Sequence, residues 1–381
     1  MFLIFIINFL LAISTTVGMT IIPFLVTDSL GLSLLTLGLI EGGTEFLSNV
    51  IRLANGILFD KIKNKRIIFV ISTGIAFFTK LLLLMPNIWT ITCSKTLERI
   101  ANGAFAAPRD AYVAEKAKNS KGFALGLLGL SKSAGCILGP LLVSGYIYFF
   151  NISIIHNLFV IILFCCGLVF IAFISSFFLE IKQLKNSEFS LREIHLTFKK
   201  IIPDLILIFL FFAGRFNDGL LMIYLKTQGF PAWFYLSTIS IFNFIMLISS
   251  PIIGKQIDRG RLKLMIYISI IALIIFNILF YKLNFLNWIF AILGLANWGI
   301  QRSGAQIVFA SLIFKEVDKA NYGTAIGIYY LVSGFATVLS SLACGYLAQS
   351  YFKGVFIISG SSAIVALLGA NYMISKKIIL K

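Results

Sequence analysis

The sequence is poor in charged residues. Only 12% of its 381 residues are Asp, Glu, Lys or Arg, whereas soluble globular proteins contain about 25%. Hydrophobic residues make up 59% of the chain, and the mean hydropathy is +0.98. Because so little charge cannot cover the surface of a soluble protein of this length, we expect an integral membrane protein.

The sequence also lacks the period-two alternation that is typical of membrane β-barrel strands. Its apolar runs are instead often close to the roughly 20 residues with which a helix crosses a bilayer. The first run extends from Met1 to about Leu25 with no basic start, which predicts a membrane span and not a cleaved signal peptide. We therefore predict an all-α integral membrane fold.

Residues that carry metal or catalytic chemistry are few and scattered. The 2 histidines are far apart and the 5 cysteines lie in apolar segments, so we expect no metal site, no disulfide and no cofactor. Nucleotide-binding, serine-hydrolase and zinc-protease motifs are missing, so we predict no catalytic residues and no enzyme. The net charge of +17 comes from short loops, which argues against nucleic-acid binding.

Twelve apolar segments are long enough to be spans. The polar stretch 180–200 separates six from six, which predicts an N-terminal six-helix bundle over 1–179, a cytoplasmic linker over 180–203 and a C-terminal six-helix bundle over 204–381. The predicted spans are 2–27, 33–58, 66–86, 88–113, 121–149, 154–178, 204–226, 231–256, 263–282, 285–314, 321–350 and 354–375.

Basic residues are distributed very unevenly between the two sets of loops. The loops on the side of the link between the second and third spans carry 21 Lys and Arg residues, and the opposite loops carry 3. Since positive residues stay on the cytoplasmic side, we expect a multi-pass protein with both termini and the central loop in the cytoplasm. The absence of long tails favours the bacterial inner membrane.

The two halves of the chain repeat each other. Gly56 to Asp60 precede a basic loop after the second span, and Gly254 to Asp258 precede another after the eighth. The segments 121–126 and 322–327 open the fifth and eleventh spans at nearly the same offset. Parallel repeats of six spans place a substrate site between the halves near the middle of the bilayer.

These segments resemble the major facilitator superfamily of transporters. The run from Gly56 to Arg66 is similar to its signature loop, Arg99 to Gly103 to its fourth-helix motif, and Gly135 to Pro140 to a fifth-helix motif of proton-coupled exporters. The runs 38–42 and 107–111 resemble an uncharacterised prokaryotic subgroup of this family. The resemblance implies two pseudo-symmetric six-helix bundles.

The resemblance also implies gating residues at helix ends. Asp60 and Asp258 are expected to face helices of the opposite half and to close the inward side. Gly135, Gly139 and Pro140 are assigned to gating as well, although helix packing alone explains them equally well. The complete set of gating candidates is Gly56, Asp60, Lys61, Arg66, Gly254, Asp258, Arg259, Gly135, Gly139 and Pro140.

Charged residues within the spans are candidates for proton and substrate binding, because a charge in the bilayer normally faces a cavity or a partner. Glu41 and Glu45 lie four residues apart on one helix face and, with Arg99, are the candidates for proton coupling. Salt bridges from Glu41 and Glu45 to Lys95, Arg99 or Lys132 are the alternative.

Polar residues of both halves are the candidates for substrate binding. Lys132 favours an anionic substrate, and Arg302 is the strongest candidate of the second half. Two structural pairs remain open, Arg215 with Asp218 and Arg302 with Asp218. The substrate-binding candidates are Lys95, Lys132, Arg215, Asp218, Asn297, Trp298, Gln301 and Arg302.

Together these features predict a monomeric secondary active transporter whose partners are a small-molecule substrate, protons and the lipid bilayer. Alternating access with proton-coupled export of a small organic molecule is the favoured function. Proton-coupled uptake of a nutrient or siderophore is one alternative. A sensor or scaffold of the same fold that transports nothing is the other.

Overall fold

The computed structural model describes residues 2–59, 65–116, 121–150, 157–179, 191–317 and 322–376. The described residues form α-helices and short connections with no strand, which confirms the predicted all-α fold. The helices are α1 (Phe2–Phe24), α2 (Leu34–Phe59), α3 (Lys65–Leu82), α4 (Ile88–Lys116), α5 (Lys121–Phe150), α6 (Leu158–Ser176), α7 (Leu191–Ala213), α8 (Asp218–Thr227), α9 (Ala232–Asp258), α10 (Leu262–Tyr281), α11 (Trp288–Glu316), α12 (Tyr322–Ser350) and α13 (Phe352–Ser375).

Eight segments of the described chain are long and apolar enough to cross a membrane. They comprise α1 with the π-helical turn that extends it to Ser29, α5, α6, α7 with α8, α9, α10, α12 and α13. The helices α2, α3, α4 and α11 instead carry several of the charged residues, among them Glu41, Lys80, Glu98 and Arg302.

The seventh predicted span differs from the structure at its start and in its middle, whereas its end at residue 226 agrees with the end of α8 at Thr227. Helix α7 begins at Leu191, inside the segment that we predicted as a linker. The span is then interrupted after Ala213 and resumes at Asp218 as α8. Asn217 has extended backbone angles and its side chain accepts a hydrogen bond from the backbone N–H of Leu220 at 2.8 Å, so it is the N-cap of α8.

Contacts divide the chain into two compact units. Unit 1 comprises Met1–Ser33, Val50–Glu188 and Pro231–Ser240, and unit 2 comprises Leu34–Asn49, Phe189–Phe230 and Ile241–Lys381. Each unit thus takes one short segment from the opposite half of the sequence.

Within unit 1, α5 packs closely on α1. A β-carbon at Gly135 would lie 2.7 Å from the carbonyl oxygen of Phe9, and one at Gly139 would lie 2.8 Å from that of Ile13. Glycines four residues apart on one helix face allow the backbones to approach in this way. Gly135 and Gly139 therefore have a packing role in the structure, as the packing alternative predicts.

Within unit 2, the first half of α2 packs on α12 through small residues. A β-carbon at Gly38 would lie 2.5 Å from the carbonyl oxygen of Ser341, and one at Gly42 would lie 3.0 Å from the Ser341 side chain. On α12, a β-carbon at Gly345 would lie 2.8 Å from the carbonyl oxygen of Leu34. Both helices thus present small residues with a spacing of four to each other.

Candidate functional site

The polar centre of unit 2 is an ion pair between α8 and α11. One guanidinium nitrogen of Arg302, Nη1, donates to both carboxylate oxygens of Asp218, at 2.7 Å to Oδ1 and 2.6 Å to Oδ2. The indole Nε1–H of Trp298 donates to Asp218 Oδ1 at 3.0 Å. Asp218 is buried and lies in the first turn of α8, where the helix dipole favours a negative charge.

This geometry decides between the two structural pairs that were predicted for Asp218. The pair with Arg302 is present, whereas none of the ion pairs among the described residues joins Asp218 to Arg215. The three-residue spacing of Arg215 and Asp218 suggested one continuous helix, but Arg215 lies in the break between α7 and α8. Its guanidinium lies instead 4.8 Å from the centre of the Phe212 ring.

Aromatic rings surround the ion pair. The guanidinium of Arg302 lies 4.8 Å from the centre of the Phe242 ring. Trp298 packs against Phe216 and Phe276, with ring centroids 5.2 and 4.5 Å apart. Such faces attract a cation, while 23% of the Arg302 side chain remains exposed.

Several buried polar atoms around this pair have no hydrogen-bond partner among the described residues. Gln301 is 0% exposed, and both its amide nitrogen and its amide oxygen are without a partner. The other such atoms nearby in sequence are Arg302 Nε, Arg215 Nε and Asn217 Nδ2. Since buried polar groups are normally satisfied, these atoms leave hydrogen-bonding capacity unused in this part of unit 2, and four of the five are donors.

The other predicted substrate residue of α11 is turned to its own helix. The side-chain amide of Asn297 donates to the carbonyl oxygen of Leu293 at 2.8 Å. The structure thus brings together Asp218, Trp298 and Arg302 directly, with Gln301 on the same helix. The assignment of all four to substrate binding remains a prediction.

Unit 1 has a second buried ion pair, which sequence reasoning did not identify. Lys80 on α3 donates to Glu98 Oε1 on α4 at 2.5 Å and to the carbonyl oxygen of Ser14 on α1 at 3.3 Å. Both charged residues are buried. The signal for a partner was the presence of Lys80 in an apolar span, where a lone charge is costly, but the sequence did not indicate which acid would pair with it.

The remaining charged candidates are spread over α2, α4 and α5. Glu41, Glu45 and Arg99 are half-buried, Lys95 is buried and Lys132 is exposed. All five interact with other groups in the protein. Their assignment to proton coupling or substrate binding therefore stays a prediction, as does the alternative of structural salt bridges.

One acidic residue was overlooked because the sequence placed it at a span boundary. Asp204 lies well inside α7 and is 2% exposed. A polar residue at the predicted start of a span is usually assigned to the membrane–water interface. The burial of Asp204 becomes evident only because α7 begins 13 residues earlier, at Leu191.

The gating candidates at the helix ends are only partly described. Asp60 and Lys61 lie outside the described residues, and Gly56 lies on α2. Arg66 and Arg259 are exposed, Gly254 lies on α9 and Asp258 is its exposed last residue, and Pro140 is buried in α5. Their gating role remains a prediction.

Comparison with known proteins agrees with this architecture. The family model of the Major Facilitator Superfamily matches residues 4–341 and 237–376. An uncharacterised MFS-type transporter of Methanocaldococcus jannaschii is 26% identical over 378 residues, which cover 94% of this chain and 91% of that protein.

Two solved structures have a similar fold. A crystal structure of the nucleoside transporter NupG superposes with a TM-score of 0.81 at 17% identity, covering 98% of this chain and 99% of that one. A POT family transporter in complex with 5-aminolevulinic acid superposes with a TM-score of 0.80 at 14% identity, covering 98% and 96%. At these identities the likeness concerns the fold alone.

Proposed function

We propose that this chain, which belongs to the Major Facilitator Superfamily, is a secondary active transporter that exports a small polar organic molecule in exchange for protons. Membrane transport is what its family and its relatives share. The substrate, the coupling to protons and the outward direction are our proposals. We also propose that the protein is a monomer in the bacterial inner membrane, with both termini in the cytoplasm.

The observation that carries the proposed substrate site is the fully buried amide of Gln301. Its two polar atoms are without a partner among the described residues, one helical turn from Trp298 and next to Arg302. A buried amide of this kind costs free energy, about 1–3 kcal/mol, unless a ligand or water satisfies it. We assign Asp218, Trp298, Gln301 and Arg302, all in unit 2, to this site.

The excess of unused donors supports a substrate rich in hydrogen-bond acceptors. Among the unpartnered atoms of these four residues, Arg215 Nε, Arg302 Nε and Asn217 Nδ2 can only donate, and Gln301 has one donor and one acceptor. Lys95 and Lys132 on the other half are further cations that would suit an anionic group. The fold is shared with a nucleoside transporter and with a POT family transporter in complex with 5-aminolevulinic acid, and a polar organic substrate for this chain is consistent with both.

We propose that proton coupling involves Glu41 and Glu45 with Arg99. The two carboxylates share one face of α2 and are half-buried. The same segment of α2 packs on α12 through Gly38 and Gly42. A proton taken up there is well positioned to alter this small-residue contact, which we propose as part of the gate for alternating access.

The outward direction is supported only by the resemblance of Gly135 to Pro140 to an exporter motif. Uptake therefore remains the alternative, and proteoliposomes with an imposed pH gradient distinguish the two. Export predicts that the substrate moves against the protons, and uptake predicts movement with them. Glu41→Gln and Glu45→Gln, singly and together, are expected to abolish the dependence on the gradient, and transport that keeps it would exclude coupling at these residues.

Thermal unfolding with a ligand panel tests the site first. The panel contains drugs, siderophores, sugars, amino acids and organic anions. A compound at 100 times its Kd should stabilise the purified protein by about 2.7 kcal/mol. Gln301→Leu should fold normally, because it removes an unsatisfied buried amide, but should lose this stabilisation.

The matched control is Gln306→Leu, which changes an exposed glutamine on the same helix and should keep the ligand response. A Gln301→Leu variant with an unchanged response would remove Gln301 from the site. If no compound stabilises the wild-type protein, a sensor or scaffold becomes the better description.

A further inference from the structure

Asp204 is a buried acid that the proposed transport site does not use. It lies in α7 and is 2% exposed. Its Oδ1 atom has no hydrogen-bond partner in the described part of the chain. No ion pair of the described residues includes Asp204, so its carboxyl group lacks the compensation that a buried charge requires.

The charged neighbour of Asp204 is another acid. Glu316, the half-buried last residue of α11, interacts with it electrostatically. The helices packed against α7 are α11, α12 and α13. Of these, α12 has no charged residue, and the other charged side chains of α11 and α13 are Arg302, Lys315 and Lys353. No hydrogen bond or ion pair of the described residues joins Asp204 to any of these three cations.

Burial and a like-charged neighbour both disfavour the ionised form of a carboxyl group. Removing a carboxylate from water disfavours its ionised form, and a second carboxylate nearby does so again. The neutral acid also gains an O–H donor. This environment therefore suits a carboxylic acid that holds its proton.

Glu98 shows that burial alone does not determine the electrostatic environment of an acidic residue in this protein. Glu98 is also buried, but the ammonium group of Lys80 lies 2.5 Å from its Oε1. A carboxylate beside a cation is stabilised in its ionised form. Two buried acids of the same protein are thus held in opposite electrostatic environments.

We propose that Asp204 is a proton-binding residue, which carries a proton while buried beside Glu316 and releases it to water when this end of α7 becomes hydrated. Its place in coupling rests on the proposed transport function. By the distribution of basic residues this end faces the cytoplasm, because Lys315 and Lys319 lie in a loop on that side. Asp204 would then be the cytoplasmic release point for protons, distinct from Glu41 and Glu45.

Labelling of the full-length protein with dicyclohexylcarbodiimide tests this proposal without a substrate. This apolar reagent modifies protonated carboxyl groups, and peptide mass spectrometry locates the product. We expect modification of Asp204, roughly tenfold slower at the alkaline end of the range from about pH 6 to pH 9. Glu98 is the internal control and should be modified much less than Asp204, because its carboxylate group is ion-paired with Lys80.

Three variants sharpen the result. Asp204→Asn should remove the label and should also flatten the dependence of the unfolding temperature on pH, since an amide imitates the neutral acid. Glu316→Gln should weaken labelling at the alkaline end, because the like charge is gone. Lys200→Gln, a change four residues before Asp204, should leave labelling unaltered.

Absence of the label at Asp204, or labelling that does not depend on pH, would overturn the proposal. Labelling that increases strongly in Lys200→Gln would also overturn it, because Asp204 would then be an ionised partner of that lysine. The labelling experiment does not depend on the ligand panel. Failure of the proposed transport function would instead appear in the panel, as a wild-type protein that no compound stabilises.

Discussion

The two units each contain a buried ion pair, and the two pairs have different surroundings. Lys80 and Glu98 are 2% and 8% exposed at their side chains, and Lys80 is further fixed by the carbonyl oxygen of Ser14. Arg302 and Asp218 are 23% and 8% exposed, and the pair lies at a helix break beside an unsatisfied amide. The first pair is sealed, whereas the second has unused hydrogen-bonding capacity around it.

We interpret this difference as one between a structural pair and the proposed substrate site. The buried pair between α3 and α4 holds these neighbouring helices together, and its charged groups are not accessible to a ligand. A partly exposed pair with unused donors has already lost much of its hydration, so a ligand gains strong interactions at little further cost. The comparison predicts that the first pair matters for stability and the second for binding.

The largest effect is expected from breaking the sealed pair. Lys80→Met leaves Glu98 buried without its cation, so the free energy of unfolding should fall by about 3–5 kcal/mol. Thermal unfolding of the purified protein measures the loss. The double variant Lys80→Met, Glu98→Met should recover most of it, because apolar residues of similar size often replace a buried pair without cost.

The comparison would fail for unit 1 if the double variant unfolded as early as the single one, or if it folded well but lost the ligand response. The first outcome would show that Lys80 or Glu98 has a further essential partner. The second would place the sealed pair in the transport site.

An intermediate effect is expected at the partly exposed pair. Asp218→Asn leaves Arg302 without its counter-charge, although solvent reaches part of that side chain, so the loss of stability should be about 1–3 kcal/mol. Binding should suffer more than folding. The double variant Asp218→Leu, Arg302→Met should regain stability but still show no stabilisation by any compound of the panel, and a restored response would contradict the assignment.

The smallest effect is expected at the ring beneath the guanidinium. Phe242→Leu removes the cation–π contact with Arg302, which should cost about 1 kcal/mol. It should also weaken the ligand response, because Arg302 loses its orientation. Phe309→Leu changes another fully buried ring of unit 2 and should lower stability only. Equal ligand responses in the two variants would show that Phe242 does not orient Arg302.

The sequence was sufficient for the spans and insufficient for most pairings. Apolar runs predict where helices lie, so the bounds of α9, α10 and α12 differ from prediction by only a few residues. The break before Asp218 was missed because it depends on one cap, Asn217, within an otherwise apolar run. Lys80 and Glu98 were not paired because helices that are neighbours in sequence do not reveal which of their faces meet.

The residues of the candidate site were easier to predict than their roles. These residues were selected from the sequence because polar side chains within a membrane span normally face a partner or a cavity. They are Asp218, Trp298, Gln301 and Arg302. Trp298 donates a hydrogen bond to Asp218, and Gln301 has no partner among the described residues. Both facts depend on side-chain geometry across two helices. Periodicity and composition contain no information about such contacts.

The small-residue contact between α2 and α12 has a consequence for the forces that control it. Gly38, Gly42, Ser341 and Gly345 bring backbones together through dispersion alone and bury little side-chain surface. The contact is therefore sensitive to side-chain volume, because a β-carbon added at Gly38 would lie 2.5 Å from the carbonyl oxygen of Ser341 and the two backbones would have to move apart.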